Sequence, residues 1–178
     1  MPPILETQRL ILRPPCWSDL EDAHRIGSNP RVMRYITPGE VQTMDDTREE
    51  LSKRIRTTDK PLGYWVIESR HDQSFIGWMA LRHQVDSLDI EIGYRLDEAH
   101  WGKGYATEAA RRVLWYAFSE LGLERVVAVA MKENWPSRKV LDKLGMQFVQ
   151  TRFVYGLNCA FYAIGQAEYL KMAILPQP

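Results

Sequence analysis

Residues 88–121 carry the feature that most limits what this chain can fold into. "LDIEIGYRL" (88–96) is followed after a short polar link by "HWGKGYATEAARRVL" (100–114). The first run alternates strictly: Asp89, Glu91 and Gly93 face one way, Ile90, Ile92 and Tyr94 the other, as in a strand. The second sets Ala106, Ala110, Val113, Ala117 and Leu121 at helical spacing and is closed by Gly122. The hydrophobic period therefore changes from 2 to 3.6 across a Gly-Lys-Gly turn. A strand feeding such a turn and then a helix points to an α/β architecture. It also makes a candidate anion grip, because the first N–H groups of a helix lack internal partners and glycine lets a phosphate come close.

The rest of the chain fits that architecture. "RLILRP" (9–14) reads as a strand ended by Pro14, and "WSDLEDAHRIGSN" as a short helix capped by Ser18 or Asp19. "NPRVMRYITPGE" is a loop with a local turn of helix. "TMDDTREELSKRIRTT" (43–58) is a polar helix that rests mainly on Leu51 and Ile55. "LGYWVIES" (62–69) and "SFIGWMALR" (74–82) form a hairpin through "RHDQ". "RVVAVAM" (125–131) is a strand covered on both faces, and "NWPSRKVLDKLG" (134–145) a helix capped by Asn134 and stopped at Gly145. "MQFVQTRFVYG" and "CAFYAIGQAEYLKM" read as two closing strands around a turn near Gly156–Asn158. No repeat or linker interrupts the chain. The expected order is β-α-α-β-β-β-α-β-α-β-β, one domain over residues 1–178 on a mixed sheet.

Bulk properties exclude several classes. The formal net charge is zero and the pI about 6.9, which gives no electrostatic footprint for nucleic acid. Cys16 and Cys159 have neither metal-ligand nor disulfide-framework spacing, and the four histidines are scattered, so no metal is expected. "MPPILETQRL" has no basic region before an apolar run, and no apolar run is long enough to cross a bilayer. A reduced, cytoplasmic enzyme or binding domain is the expectation.

The glycine turn does not match two of its possible guests. The dinucleotide pattern needs a third small residue where Thr107 stands, and it usually opens a fold rather than following a meander. The triphosphate loop needs Ser or Thr after Gly-Lys, and Gly104 follows here. A turn that holds nothing is the plain alternative. Taken together, "EIGYRLDEAHWGKGYATEAARRVL" and "NWPSRKVLDKLGM" resemble the GNAT superfamily of N-acetyltransferases. The family's pyrophosphate motif falls on Trp101, Gly102, Lys103, Gly104, Tyr105 and Ala106. Gly104 and Ala106 match it; Trp101 replaces Gln or Arg. "LETQRLILRP" is similar to the branch that acetylates protein N-termini, including those of ribosomal proteins.

The resemblance implies a mixed, mostly antiparallel sheet splayed at an acetyl-CoA site and flanked by helices. It implies cofactor contacts from Ile92, Gly93 and Tyr94 on the strand, from the turn residues through Thr107, and from Asn134 and Ser137. A backbone N–H beside strand 88–95 would hold the acetyl carbonyl, freed by a bulge near Gly93. Glu91 is the candidate general base, directly or through water, ahead of Asp89; the alternative is a solvated strand face. Leu141 stands where the family often has a tyrosine acid, leaving Ser137 as the nearest replacement, ahead of Tyr94 and Tyr105. Asn134 would bond the pantetheine arm as well as cap its helix, and Lys103 would add positive charge near the phosphates. Trp65, Trp78 and Trp115 are expected in the core, and neither cysteine is expected to carry acetyl. His83 and His100 flank the site. The acceptor should lie between "VMRYITPGE" and the last hairpin, near Arg31, Arg34 and Tyr35. A peptide N-terminus is favoured over a small amine such as a polyamine, amino acid or aminoglycoside. A non-catalytic CoA-binding module is the rival class, and the chain is expected to be a monomer or homodimer.

Overall fold

The structure is a computed structural model that describes residues 2–56, 61–85 and 87–174. Thr57 and Thr58, at the end of the expected polar helix, lie outside that set. Eight strands are present: β1 Leu5–Glu6, β2 Leu10–Arg13, β3 Gly63–Ser69, β4 Phe75–His83, β5 Ile90–Leu96, β6 Arg125–Met131, β7 Gln147–Val154 and β8 Leu157–Gly165. They form one sheet in the order β1-β2-β3-β4-β5-β6-β8-β7. Every neighbouring pair is antiparallel except β5–β6, which is parallel.

The parallel pair is where the sheet opens. β4 and β5 stay in register from Gly77↔Leu96 to His83↔Ile90, whereas β5 and β6 pair only at Glu91↔Val127. The expected bulge at Gly93 is absent, since that ladder has no register shift. The divergence of β6 does the same job: past the Ile92 N–H, which the Glu91↔Val127 bridge uses, the backbone groups on that side of β5 have no ladder partner.

Helices cover both faces: α1 Leu20–Gly27, α2 Pro30–Met33, α3 Met44–Arg56, α4 Tyr105–Trp115 with a π-helical turn at Tyr116–Glu120, α5 Trp135–Lys143 and α6 Gln166–Ile174. On one face Trp65, Ile67, Met79 and Ile92 pack against Ala109, Ala110 and Val113 of α4 and Leu141 of α5. On the other, Val66 and Trp78 pack against Ala23 and Ile26 of α1, Val32 of α2 and Leu51 of α3. Adjacent Trp65 and Val66 thus serve opposite cores, as the pleat requires.

Two expectations need correction. The segment after Gly165 is α6, not the end of a strand. The β6–β8 ladder runs out at Arg125↔Gly165, the first residue of β6, and one last bond from the Gln166 N–H to the Glu124 carbonyl at 3.0 Å ends the pairing. The good helix formers of "QAEYLKM" then take over. Tyr169 pins α6 by its hydroxyl to the Arg111 carbonyl at 3.1 Å and by its ring to Phe118. Trp115 is 44% exposed and lies under the Arg112 guanidinium, because it falls outside the apolar stripe of α4. Trp65 and Trp78 are buried as expected.

Candidate active site

The glycine turn takes the shape that an anion grip needs. Gly102 and Gly104 have φ of +73° and +82°, the left-handed region that glycine adopts without cost. Gly104 is the N-cap of α4 and has no side chain to offer, so no cap bond satisfies the first N–H groups of the helix. A Cβ built on Gly102 would meet nothing within 4 Å. Trp101, in place of the motif's Gln or Arg, anchors the turn by donating its indole N–H to the Leu96 carbonyl at 3.1 Å.

The N-terminal stretch braces this turn, a role the sequence did not disclose. Glu108, one turn into α4, accepts from Thr7 Oγ1 at 2.6 Å, from the Arg9 backbone at 3.0 Å and from Arg9 Nε at 2.7 Å. Arg9 also donates to the Lys103 carbonyl at 3.1 Å, and its guanidinium stacks over Tyr105 at 4.7 Å. Burial works against ionisation of Glu108, but the bonds from Thr7 and Arg9 hold its carboxyl below the usual value.

A cleft of about 380 Å³ runs from the turn to α5. Trp101, Gly102, Gly104, Tyr105, Ala106 and Thr107 line one side of it. Tyr94, Asn134 and Ser137 line the other. Lys103 is exposed and is not part of the lining. Asn134 Oδ1 accepts from the Ser137 backbone at 3.3 Å, so its Nδ2 is left for the cleft. Leu141 is buried in the core. The cleft instead holds a hydroxyl pair, Tyr94 Oη and Ser137 Oγ, 3.0 Å apart. Burial raises the Tyr94 pKa and keeps it protonated. His100 also faces the cleft; burial and the charge of Lys103 lower its pKa.

A second cleft, of about 530 Å³, shares Tyr35, Ile36, Tyr94, Arg95, Asn134 and Ser137 with the first. It continues past Glu91, Ile92 and Gly93 to the α1–α3 side of the sheet. The cross-strand pairs Trp78↔Arg95, Ala80↔Gly93 and Arg82↔Glu91 set one face of β5 towards that side. Glu91 is only 5% exposed, which excludes the solvated-face reading. Its Oε2 accepts from Gln84 Nε2 at 2.9 Å and from Tyr155 Oη at 2.8 Å, and its Oε1 from Arg82 at 3.1 Å. Burial and the Glu91 charge push the Tyr155 hydroxyl up to about 12, so it remains a donor. A carboxylate has about four acceptor sites, so Glu91 has one left, on Oε1. A Cβ added at Gly93 would meet a single group within 4 Å, that same Oε1 at 4.0 Å. The space over Gly93 is thus open and bordered by the free side of the carboxylate.

Of the other expected residues, Tyr35 lines both clefts and Arg31 the first, while Arg34 stacks on the Tyr35 ring. Asp89 is drawn away by Arg125 and Arg152, at 3.5 and 3.7 Å. His83 is exposed and outside both clefts. Cys159 is buried, which raises its thiol pKa, and Cys16 is exposed. No group of three or more His, Cys, Asp or Glu among the described residues could hold a metal ion, and none of their helices is long and apolar enough to cross a membrane.

Residues 9–147 match the acetyltransferase (GNAT) domain family. The chain belongs to this family. The uncharacterized N-acetyltransferase YoaA of Bacillus subtilis is 34% identical over 147 residues, covering 82% of this chain and 83% of YoaA. The FsC-acetyl coenzyme A-N(2)-transacetylase of Aspergillus fumigatus is 30% identical, over 85% of this chain and 68% of its own length. The GNAT acetyltransferase structure from Bacillus anthracis superposes with a TM-score of 0.82 at 27% identity, covering 93% and 99% of the two chains. The fold alone is shared with a ribosomal L7/L12 α-N-protein acetyltransferase in complex with coenzyme A, at 17% identity. The GNAT chain described here is accordingly an acyltransferase. Its open mixed sheet, flanked by helices, is the family's fold.

Proposed function

We propose that this GNAT chain works as one acetyl-CoA-dependent N-acetyltransferase domain in the cytoplasm. It moves acetyl to a primary amine by direct attack in a ternary complex, with a protein N-terminus as the favoured acceptor. The observation that carries this reading is the meeting of the two clefts at Tyr94, Asn134 and Ser137, where β5 and β6 part. A donor on the α4–α5 side and an acceptor on the α1–α3 side would meet there without an enzyme-bound acyl group.

The residues present fit acetyl-CoA. The uncapped N–H groups at Gly104–Thr107, with the open αL turn before them, suit a pyrophosphate. Asn134 Nδ2 suits an amide carbonyl of the pantetheine arm. The unladdered Tyr94 backbone N–H, next to Ile92 and Gly93, suits the acetyl oxygen, and binds it more tightly as charge develops. When bound, acetyl-CoA supplies an activated thioester. Glu91 Oε1, beside the open space over Gly93, holds the water that takes the amine's proton. The Ser137 hydroxyl, held by Tyr94, passes a proton to the departing thiolate, and solvent entering the cleft restores that proton, so Tyr94 ends protonated.

The preference for an N-terminus follows from the limited help that Glu91 can give. An α-amine reaches its neutral form about 3 kcal/mol more easily than a lysine, from their usual pKa values. A carboxylate with three donors already on it has about one acceptor site left for the amine or its water, and suits the easier amine. The bracing of the turn by Thr7 and Arg9 is also consistent with the branch that acetylates ribosomal-protein N-termini, to which "LETQRLILRP" is similar. The test is thiol release from acetyl-CoA with N-terminal peptides, lysine peptides and small amines. N-terminal peptides should give the highest kcat/KM; turnover confined to polyamines or aminoglycosides would overturn the preference.

A further inference from the structure

The second cleft carries more positive charge than the mechanism uses. Five ionised side chains line it: Arg54, Arg82, Arg95, Glu50 and Glu91. Arg82 is accounted for by Glu91 and by the Tyr155 hydroxyl, at 3.1 and 3.0 Å. Arg54 is accounted for by Glu50 at 2.6 Å and by the Trp78 ring, 4.4 Å beneath its guanidinium. Arg95 is the remainder. Its side chain is 12% exposed, yet its one ionic contact among the described residues is a 3.4 Å approach to the Glu50 carboxylate that Arg54 already holds. Gln42 takes up more of that carboxylate, donating to Oε2 at 2.8 Å. Burial first, and then the Arg54 charge, lower the Arg95 pKa despite Glu50, though an arginine stays charged at neutral pH. A guanidinium has five N–H donors in a fixed fork, and among the described residues only one of these is used. Holding such a cation out of water is costly unless something completes it.

The position of Arg95 says what would complete it. Glu91, Gly93 and Arg95 share one face of β5, with successive members about 6.6 Å apart at the ordinary strand rise. Gly93 marks the open space beside Glu91, so Arg95 stands one step beyond the reacting amine, in the second cleft and at its border with the first, which it also lines. Resting on the acetyltransferase reading above, we infer that Arg95 selects an acceptor carrying a carboxylate within about two residues of its reacting amine. That carboxylate is an acidic side chain near a peptide N-terminus or the α-carboxylate of an amino acid. A bidentate guanidinium–carboxylate pair completes Arg95 and fixes the amine over Gly93. Polyamines and aminoglycosides would bring more positive charge to a cleft that already has a surplus.

The test compares matched acceptors in acetyl-CoA thiol release. One pair is a peptide amide with Glu at position 2 and its Gln counterpart; the other is free glutamate and its diamide, and the two pairs separate the peptide source from the amino-acid source. The acidic member of at least one pair should have a kcat/KM roughly ten- to a hundredfold higher, the worth of one charge-assisted pair. Arg95→Gln should abolish that ratio and Arg95→Lys should keep part of it. Because Arg95 also borders the first cleft, the ratio is compared at saturating acetyl-CoA. Unfolding of Arg95→Gln would leave Arg95→Lys to report. Equal rates for both members of both pairs would overturn the inference while leaving the acetyltransferase reading intact. A polyamine as best acceptor would overturn the inference and the N-terminal preference together. Should no acceptor turn over, the acetyltransferase reading itself fails. Calorimetric binding of the same pairs to the CoA-loaded protein then decides, and equal affinities sink the inference.

Discussion

Replacing Gly93 with alanine separates the proposed chemistry from the stability of the fold. Gly93 is outside the left-handed region, so an alanine needs no backbone change. Its Cβ would meet one group within 4 Å, Glu91 Oε1 at 4.0 Å, which is an ordinary contact. Folding should therefore be unharmed, and removal of glycine freedom from the unfolded chain favours the variant by about 0.4–1 kcal/mol. The methyl group nonetheless occupies the space beside Oε1 where an amine, or the water it gives its proton to, must come within about 2.6–3.2 Å of that oxygen. Displacing the acceptor by about 1 Å costs on the order of a hundredfold in rate. Thiol release at saturating acetyl-CoA should thus show kcat/KM for the amine down by about a hundredfold, some 2.7 kcal/mol of transition-state stabilisation. The melting temperature should be equal or higher, and calorimetric affinity for acetyl-CoA preserved. An unchanged kcat/KM would refute the placement of the reacting amine over Gly93.

Gly104→Val should abolish acetyl-CoA protection in thermal melts, since φ of +82° costs a branched residue about 1–2 kcal/mol and its side chain would screen the N–H groups of α4; full protection would remove the turn from the donor site. Glu91→Gln keeps the size and much of the hydrogen bonding of the buried group, so turnover should fall while acetyl-CoA affinity holds, and equal turnover at every pH would exclude Glu91 from proton removal. Ser137→Ala should lower kcat more than it weakens acetyl-CoA binding, and Tyr94→Phe should do so less strongly; the reverse split would make the hydroxyl pair a binding device. The Glu108 carboxyl is held below its usual value, so its contribution is fully present above about pH 4.5, the unfolded-state range. That contribution is lost as pH falls through the folded-state pKa, and Glu108→Gln should flatten melting temperature against pH over that window; an unaltered slope would remove the clamp from acid stability.

What could be read from the sequence tracks how local each determinant is. The change of period at the Gly-Lys-Gly turn, the cap at Asn134 and the alternation of β5 are each written within a few residues, and the structure has all three. The failures are non-local. Whether "QAEYLKM" continues a strand depends on how much of β6 is left to pair with, and that ladder ends at Arg125. The missing bulge at Gly93 and the gap that replaces it are properties of β6, more than 30 residues away in the chain. A solvated stripe stayed open as the alternative for Glu91, because the groups that bury and saturate it, Gln84 and Tyr155, come from a turn and from a distant hairpin. Arg9 and Arg95 were silent for the same reason. An arginine gives no periodic signal, and its meaning rests on what it fails to find: Arg9 meets a carboxylate that completes it, while Arg95 meets one already taken. The donor side of this site is built from backbone, which the glycines announce. The acceptor side is built from side chains gathered from several elements, so the sequence named the donor and left the acceptor to be inferred from an unbalanced charge.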